Sequence, residues 1–135
     1  VLTKHTDVAR VNVERLRANA IEAAEQSERL DVPEVREPIE LAALLANWPP
    51  ERTLIVCAEA AEQPTPLADV VKSLPRGPAA LLIGPEGGFA ESELHLLARQ
   101  PFVRLAHLGP RILRAETAVF ASLAIFQALH GDVNQ

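Results

Sequence analysis

Two short runs in this chain hold no charged residue and almost no polar one. Residues 53–58 read Thr-Leu-Ile-Val-Cys-Ala, and residues 79–83 read Ala-Ala-Leu-Leu-Ile. A third run, residues 102–108, is apolar apart from Arg104 and His107. Each has the length of a strand. A strand that is apolar throughout must be covered on both faces, which is the condition of a parallel sheet between layers of helices. Segments of helical period lie around and between these runs. Over 11–26, Val13, Leu16, Ala20, Ile21 and Ala24 recur at helical spacing and predict a buried stripe. Further helices are expected over 39–48, 67–74, 90–100 and 115–129, with Glu40 in the first turn of the second. Pro49-Pro50 and Pro75 close two of them. The stretch 30–35 contains Pro33 and reads as an edge or a loop. Residues 59–66 read as a polar loop with two prolines. The expected fold class is therefore α/β, a parallel sheet flanked by helices.

At 135 residues the chain is expected to form one domain. Its 48% apolar and 23% charged residues exclude a disordered or rod-like chain. No apolar stretch reaches the roughly 20 residues of a membrane span, and no signal peptide is read in these residues. Cys57 is the single cysteine. That excludes an intramolecular disulfide and fits a reducing, cytoplasmic setting. A buried, inert thiol is the expected state of Cys57.

Charge is uneven. Residues 1–68 carry 7 basic and 12 acidic side chains, and residues 69–135 carry 6 of each. Arg99, Arg104, Arg111 and Arg114 fall in a stretch free of acids, with His107 among them. Two readings of this cluster are open: a surface that meets phosphate, or four solvated arginines. The net charge of −5 argues against a grip on nucleic acid by this chain unaided.

Ligands of parallel sheets bind at the carboxyl ends of the strands. Two turns there stand out, Gly84-Pro85-Glu86-Gly87-Gly88-Phe89 and Gly109-Pro110-Arg111-Ile112-Leu113-Arg114. The chain has no Gly-x-Gly-x-x-Gly after a strand, no P-loop and no nucleophile elbow. His5, His95, His107 and His130 are scattered, so no metal motif is read. The segment 115–129 is apolar on nearly every face. A helix of that kind is covered on all sides. One side is expected on the sheet and the other on a second subunit, which predicts a homodimer through the C-terminal helix.

Three motifs, in order, carry a resemblance. They are Glu-Ala-Ala-Glu-Gln-Ser (22–27) with Val-Pro-Glu-Val (32–35), Leu-Leu-Ile-Gly-Pro-Glu-Gly-Gly-Phe (81–89), and Leu-Gly-Pro-Arg-Ile-Leu-Arg-Ala-Glu-Thr-Ala (108–118). Together they resemble the ribosomal RNA small-subunit methyltransferase E family over essentially the whole chain. The resemblance implies a SPOUT-class domain with a C-terminal trefoil knot. It implies a homodimer that transfers methyl from S-adenosylmethionine to N3 of a uridine in small-subunit ribosomal RNA, with no metal and no membrane. It places the cofactor against Ala58, Ile83, Gly84, Pro85, Gly87, Leu108, Gly109, Ile112 and Leu113. On this reading Gly84, Gly87 and Gly109 let the backbone approach the cofactor, and Leu108, Ile112 and Leu113 wall the adenine. Glu86 orients its loop. Arg114 is the expected catalytic group and Glu116 its companion, either accepting a proton or aiming Arg114. Arg111 and Arg114 are the expected RNA contacts.

The chain departs from the family pattern in three places. Ala90 stands where the family commonly has an N-capping Ser, a loss of about 1 kcal/mol that predicts a frayed helix start. Glu28 stands where the family commonly has Gly, which predicts a strained left-handed residue or a different helix end. The family also has an N-terminal RNA-binding barrel and a first helix and strand of the knotted domain, which these residues lack. The expectation is a truncated domain that binds cofactor but methylates RNA poorly, with residues 1–3 as the tail of a missing strand. Two rivals stay open. One is another SPOUT enzyme, such as a transfer-RNA ribose 2′-O-methyltransferase, against which the upstream motif speaks. The other is a non-catalytic dimeric binding module, against which the intact Arg114, Glu116 and glycine loops speak.

Overall fold

A computed structural model describes residues 1–7 and 11–131. Its helices are α1 (Val13–Gln26), α2 (Leu41–Ala46), α3 (Leu67–Ser73), α4 (Glu91–Ala98) and α5 (Ala115–His130). Its strands are β1 (Thr53–Cys57), β2 (Thr65–Pro66), β3 (Ala79–Ile83) and β4 (Val103–His107). The sheet is parallel throughout, in the order β2-β4-β1-β3. The two strand-length runs without a charge thus lie side by side as β1 and β3.

Alternation along β1 splits the core in two, because successive side chains leave opposite faces. Leu54 and Val56 point to one face, where Leu41 and Leu45 of α2 and Leu97 of α4 cover them. Ile55 points to the other, against Leu67, Val70 and Val71 of α3, with Ile125 and Phe126 of α5 beside them. Both faces are filled, as the apolar runs require.

Register decides where the strand ends fall. Cys57 of β1 is level with Ile83 of β3 and Ala106 of β4. The loops that leave β1, β3 and β4 therefore emerge side by side on one edge of the sheet.

Four expectations are corrected. Residues 59–66 are not all loop, because Thr65 and Pro66 pair with Ala106 and His107 at the sheet edge. An edge is where a strand tolerates a residue without an N–H. The second helix starts at Leu41 rather than Ile39, with Glu40 as its cap instead of in its first turn. Leu2 occupies the backbone there: its N–H donates to Ile39 O at 2.8 Å, and its carbonyl accepts from Leu41 N–H at 3.0 Å. The stripe of α1 is buried only at Val13 and Ala24, while Leu16 and Ile21 are 45% and 47% exposed. Neither core includes a residue of α1, so its periodicity has no layer to meet. Finally, the start of α4 is not left uncapped. Ala90 makes no side-chain cap, as expected, but Glu93 reaches back and accepts from Ala90 N–H at 2.8 Å through Oε2, which is the other half of a capping box.

Glu28 takes the strained alternative. Its φ is +54°, in the left-handed region, and the turn is closed by Arg29 N–H donating to Ala24 O at 2.9 Å. Along α5, Ala118 and Ser122 are buried, but Val119, Phe120 and Leu123 face outward, Phe120 being 73% exposed. No helix among the described residues is long and apolar enough to cross a membrane.

Candidate functional site

The three strand-end loops enclose one cleft of about 770 Å³. Its walls come from 57–60 after β1, 83–89 after β3 and 107–113 after β4, with Ala115 and Ala118 of α5 at the base. All nine residues expected to hold a cofactor line it, from Ala58 to Leu113, and so does Glu86. A cleft of this size suits a ligand of a few dozen atoms.

Two of the glycines are also required by contacts within the protein. At Gly84 a Cβ would come within 2.9 Å of Phe89 Cε2. Phe89 is 7% exposed and belongs to the core beneath. Gly84 therefore makes room for a ring inside the protein. At Gly87 a Cβ would lie 3.2 Å from the Cβ of His5, so its space too is taken by protein. Gly109 is the one of the three that keeps the expected freedom. Its φ is +113° and nothing stands within 4 Å of where a Cβ would be. Its N–H donates to His107 Nδ1 at 3.1 Å, which puts the ring proton of the neutral imidazole on Nε2.

The expected apolar wall divides. Leu108 packs on the second core and Leu113 is half-buried. Ile112 is 89% exposed at the mouth. An apolar side chain left open beside a cleft is a surface for a ligand or another chain to cover.

Arg114 is the N-cap residue of α5, and its side chain is exposed. It stands between Leu113 and Ala115, which both line the cleft. Arg111 is exposed on the same loop. Glu116 lies in the first turn of α5, where a carboxylate is favoured by the helix dipole. Arg114 and Glu116 are not paired among the described salt bridges. Arg104 is drawn away from the cluster, donating to Pro101 O and Val103 O. Arg111, Arg114 and Glu116 are not among the residues that line the cleft, though both arginines are flanked by ones that do, and Arg104 is occupied elsewhere.

Sequence reasoning missed several lining residues. Pro64 lay in what read as a plain loop, and His107 was seen only as one of a basic cluster. Cys57 also lines the cleft and is half-buried. Burial, and then the charge of Glu59, push its thiol up to about 11. It is protonated at neutral pH and a poor nucleophile. Among the described residues no cluster of three His, Cys, Asp or Glu is placed to hold a metal ion.

Comparison with known proteins agrees with this geometry. A family model for an RNA methyltransferase domain matches residues 1–127. The chain is 34% identical over 124 residues to the ribosomal RNA small subunit methyltransferase E of Rickettsia conorii, covering 92% of this chain and 50% of that protein. It is 37% identical over 127 residues to the enzyme of the same name from Bacillus subtilis, covering 88% and 49%. The ribosomal RNA small subunit methyltransferase E of Neisseria gonorrhoeae, solved bound to S-adenosylmethionine, superposes with a TM-score of 0.78 at 35% identity. That match covers 90% of this chain and 49% of the other. A Legionella pneumophila protein, solved with S-adenosylmethionine as its bound cofactor, superposes with a TM-score of 0.77 at 31% identity, covering 94% and 52%. The chain spans about half the length of the curated relatives it matches.

Proposed function

Because the chain belongs to the ribosomal RNA small subunit methyltransferase E family, we propose that its cleft binds S-adenosylmethionine and serves methyl transfer to N3 of a uridine in small-subunit ribosomal RNA. The observation that carries this reading is the convergence of all three strand-end loops on one cleft in a fold whose solved relatives hold that cofactor. The donor set fits it. Gly84, Gly87 and Gly109 bring backbone to the cleft wall, and Ile83, Leu108 and Leu113 offer an apolar wall. As the family resemblance implies, the loops after β3 and β4 are threaded as a trefoil knot.

Bound there, S-adenosylmethionine supplies an electrophilic methyl on its sulfonium. The chain's own residues do the rest. The loops align methyl and nucleophile, and alignment accounts for much of the rate. Uridine N3 must lose its proton, which passes to solvent water, so negative charge builds on the two flanking carbonyl oxygens. Arg114, between two lining residues, donates to one of those oxygens, through a guanidinium that stays ionised. Arg111 meets a neighbouring phosphate. Glu116, two residues after Arg114, is held at the helix start by the dipole. Glu86 holds its own loop. The outward face of α5, with Val119, Phe120 and Leu123, is the homodimer surface. The substrate puts the work in the cytoplasm.

The test is Arg114→Ala in the protein as encoded. Transfer of labelled methyl to small-subunit ribosomal RNA is measured, with cofactor affinity beside it. The rate is expected to fall about a hundred-fold or more, with the cofactor Kd within two-fold of the parent. An unchanged rate would remove Arg114 from the chemistry.

A further inference from the structure

A short segment near the start of the chain reaches the loop after β3 from across the sequence. His5 Nδ1 lies 2.9 Å from Gly87 O and 3.1 Å from Gly88 O. Carbonyl oxygens only accept, so Nδ1 carries a proton and donates to them. Either the imidazolium or the Nδ1–H tautomer supplies that donor. Next to it, Lys4 N–H donates to Glu93 Oε1 at 2.8 Å, while Ala90 N–H donates to Oε2 of the same carboxylate at 2.8 Å. Glu93 is 7% exposed. It therefore ties the segment to the loop's far end. Lys4 Nζ adds a bond to Ser92 Oγ at 2.8 Å. The segment itself is shaped by a turn, with Thr3 N–H donating to Thr6 Oγ1 at 2.9 Å and Thr6 N–H to Thr3 O at 3.0 Å.

We infer that residues 3–6 latch the loop 84–90 and that His5 is a positioning residue of the cofactor site. The inference rests on the reading of the cleft as that site. Gly87 and Gly88 both line the cleft. Gly88 has φ of +69°, and two successive glycines make this the most pliable stretch of the wall. The latch removes that freedom. With the Gly87 and Gly88 carbonyls drawn to one ring nitrogen, the planarity of the peptide fixes the N–H groups of Gly88 and Phe89 on the opposite side; Gly88 N–H closes the turn by donating to Pro85 O at 2.8 Å, and Phe89 N–H is the donor held for a ligand. Gly87 is part of the same fit, since a Cβ there would meet the His5 side chain at 3.2 Å. Pre-organised backbone donors bind a ligand without the cost of ordering the loop.

The test uses His5→Phe, which keeps a ring and removes the donor, and His5→Asn, whose side-chain amide restores a donor near the place of Nδ1. His5 is exposed, so neither change opens the core. Three quantities are read on the whole chain: the Kd for S-adenosylmethionine by calorimetry, hydrogen exchange at amides 87–90 without ligand, and the melting temperature. His5→Phe is expected to raise the Kd about five-fold and to speed exchange at those amides, with the melting temperature nearly unchanged. His5→Asn is expected to fall within two-fold of the parent on both. Parent-like Kd and exchange in His5→Phe would overturn the inference, as would a loss that His5→Asn does not repair. If the parent itself shows no S-adenosylmethionine binding, the cofactor reading falls. The exchange measurement then decides the latch alone: faster exchange upholds it and unchanged exchange rejects it.

Discussion

Gly84→Ala separates two reasons for a glycine in the cleft wall. The backbone at Gly84 is not in the left-handed region, so alanine meets no conformational penalty. In open space the substitution would stabilise the protein by about 0.4–1 kcal/mol, through the unfolded chain. The space is not open. The new methyl would lie 2.9, 3.2 and 3.3 Å from three atoms of the Phe89 ring, against an ordinary carbon separation of about 3.5–4.0 Å. Phe89 is buried in a filled core, and such overpacking costs about 1–3 kcal/mol. Taking about 2 for the clash and about 0.7 for the backbone gain, the net loss is about 1.3 kcal/mol. For a chain this long that is roughly a 5 °C fall in Tm. The same substitution in a Phe89→Leu background removes the ring that is struck, and only the backbone gain is left. The effect of Gly84→Ala should then change sign, from destabilising to neutral or stabilising. Urea unfolding of the parent, both single variants and the double variant gives the coupling, expected at about 2 kcal/mol. If Gly84→Ala costs the same in both backgrounds, the packing argument is wrong and the glycine answers to something other than Phe89.

Three further outcomes are expected. Glu28→Gly should stabilise the protein by about 1 kcal/mol by relieving a left-handed non-glycine residue at φ +54°, seen as a raised urea midpoint with an unchanged slope. Glu93→Ala should cost about 2–3 kcal/mol, since two backbone N–H groups lose a charged acceptor; Glu93→Gln, which keeps one acceptor oxygen, should cost about half as much in the same titration. Cys57 makes stability fall at high pH. Its thiol is raised in the folded state from 9.0 to about 11, so between those values the unfolded chain loses a proton that the folded one keeps. This contribution is intact below pH 9 and is lost as pH rises toward 11, amounting to about 2 kcal/mol by pH 10.5. Urea unfolding at pH 8 and 10.5 should show that much more loss in the parent than in Cys57→Ala.

The fold was legible where the chemistry was local. Residues 79–83 were read to the residue as a strand because Gly-Pro pairs bound an apolar run on both sides. β2 was not legible, since two residues of edge pairing between prolines leave no period. The stripe of α1 had a clear period, yet periodicity says only which residues share a face, not that a layer exists to cover them. Within the cleft, Gly-Pro pairs after β3 and β4 marked two of the three loops, and the register of β1 with β3 and β4 brought the loops together. What the glycines make room for was not readable. Phe89 and His5 fill those places through folded contacts, and the His5 bonds span 82 and 83 positions. Nothing in the sequence marked Glu93 for the same reason: its partner Lys4 is 89 positions away.

The central claim is that the three strand-end loops form an S-adenosylmethionine site. Calorimetric titration of the chain with S-adenosylmethionine, with ATP and NAD as controls, tests it most directly. The account predicts saturable binding near one site per chain for S-adenosylmethionine, weakened by a bulky replacement at Gly109, and no comparable heat from the controls. No saturable heat with S-adenosylmethionine, or equal binding of ATP, would contradict it.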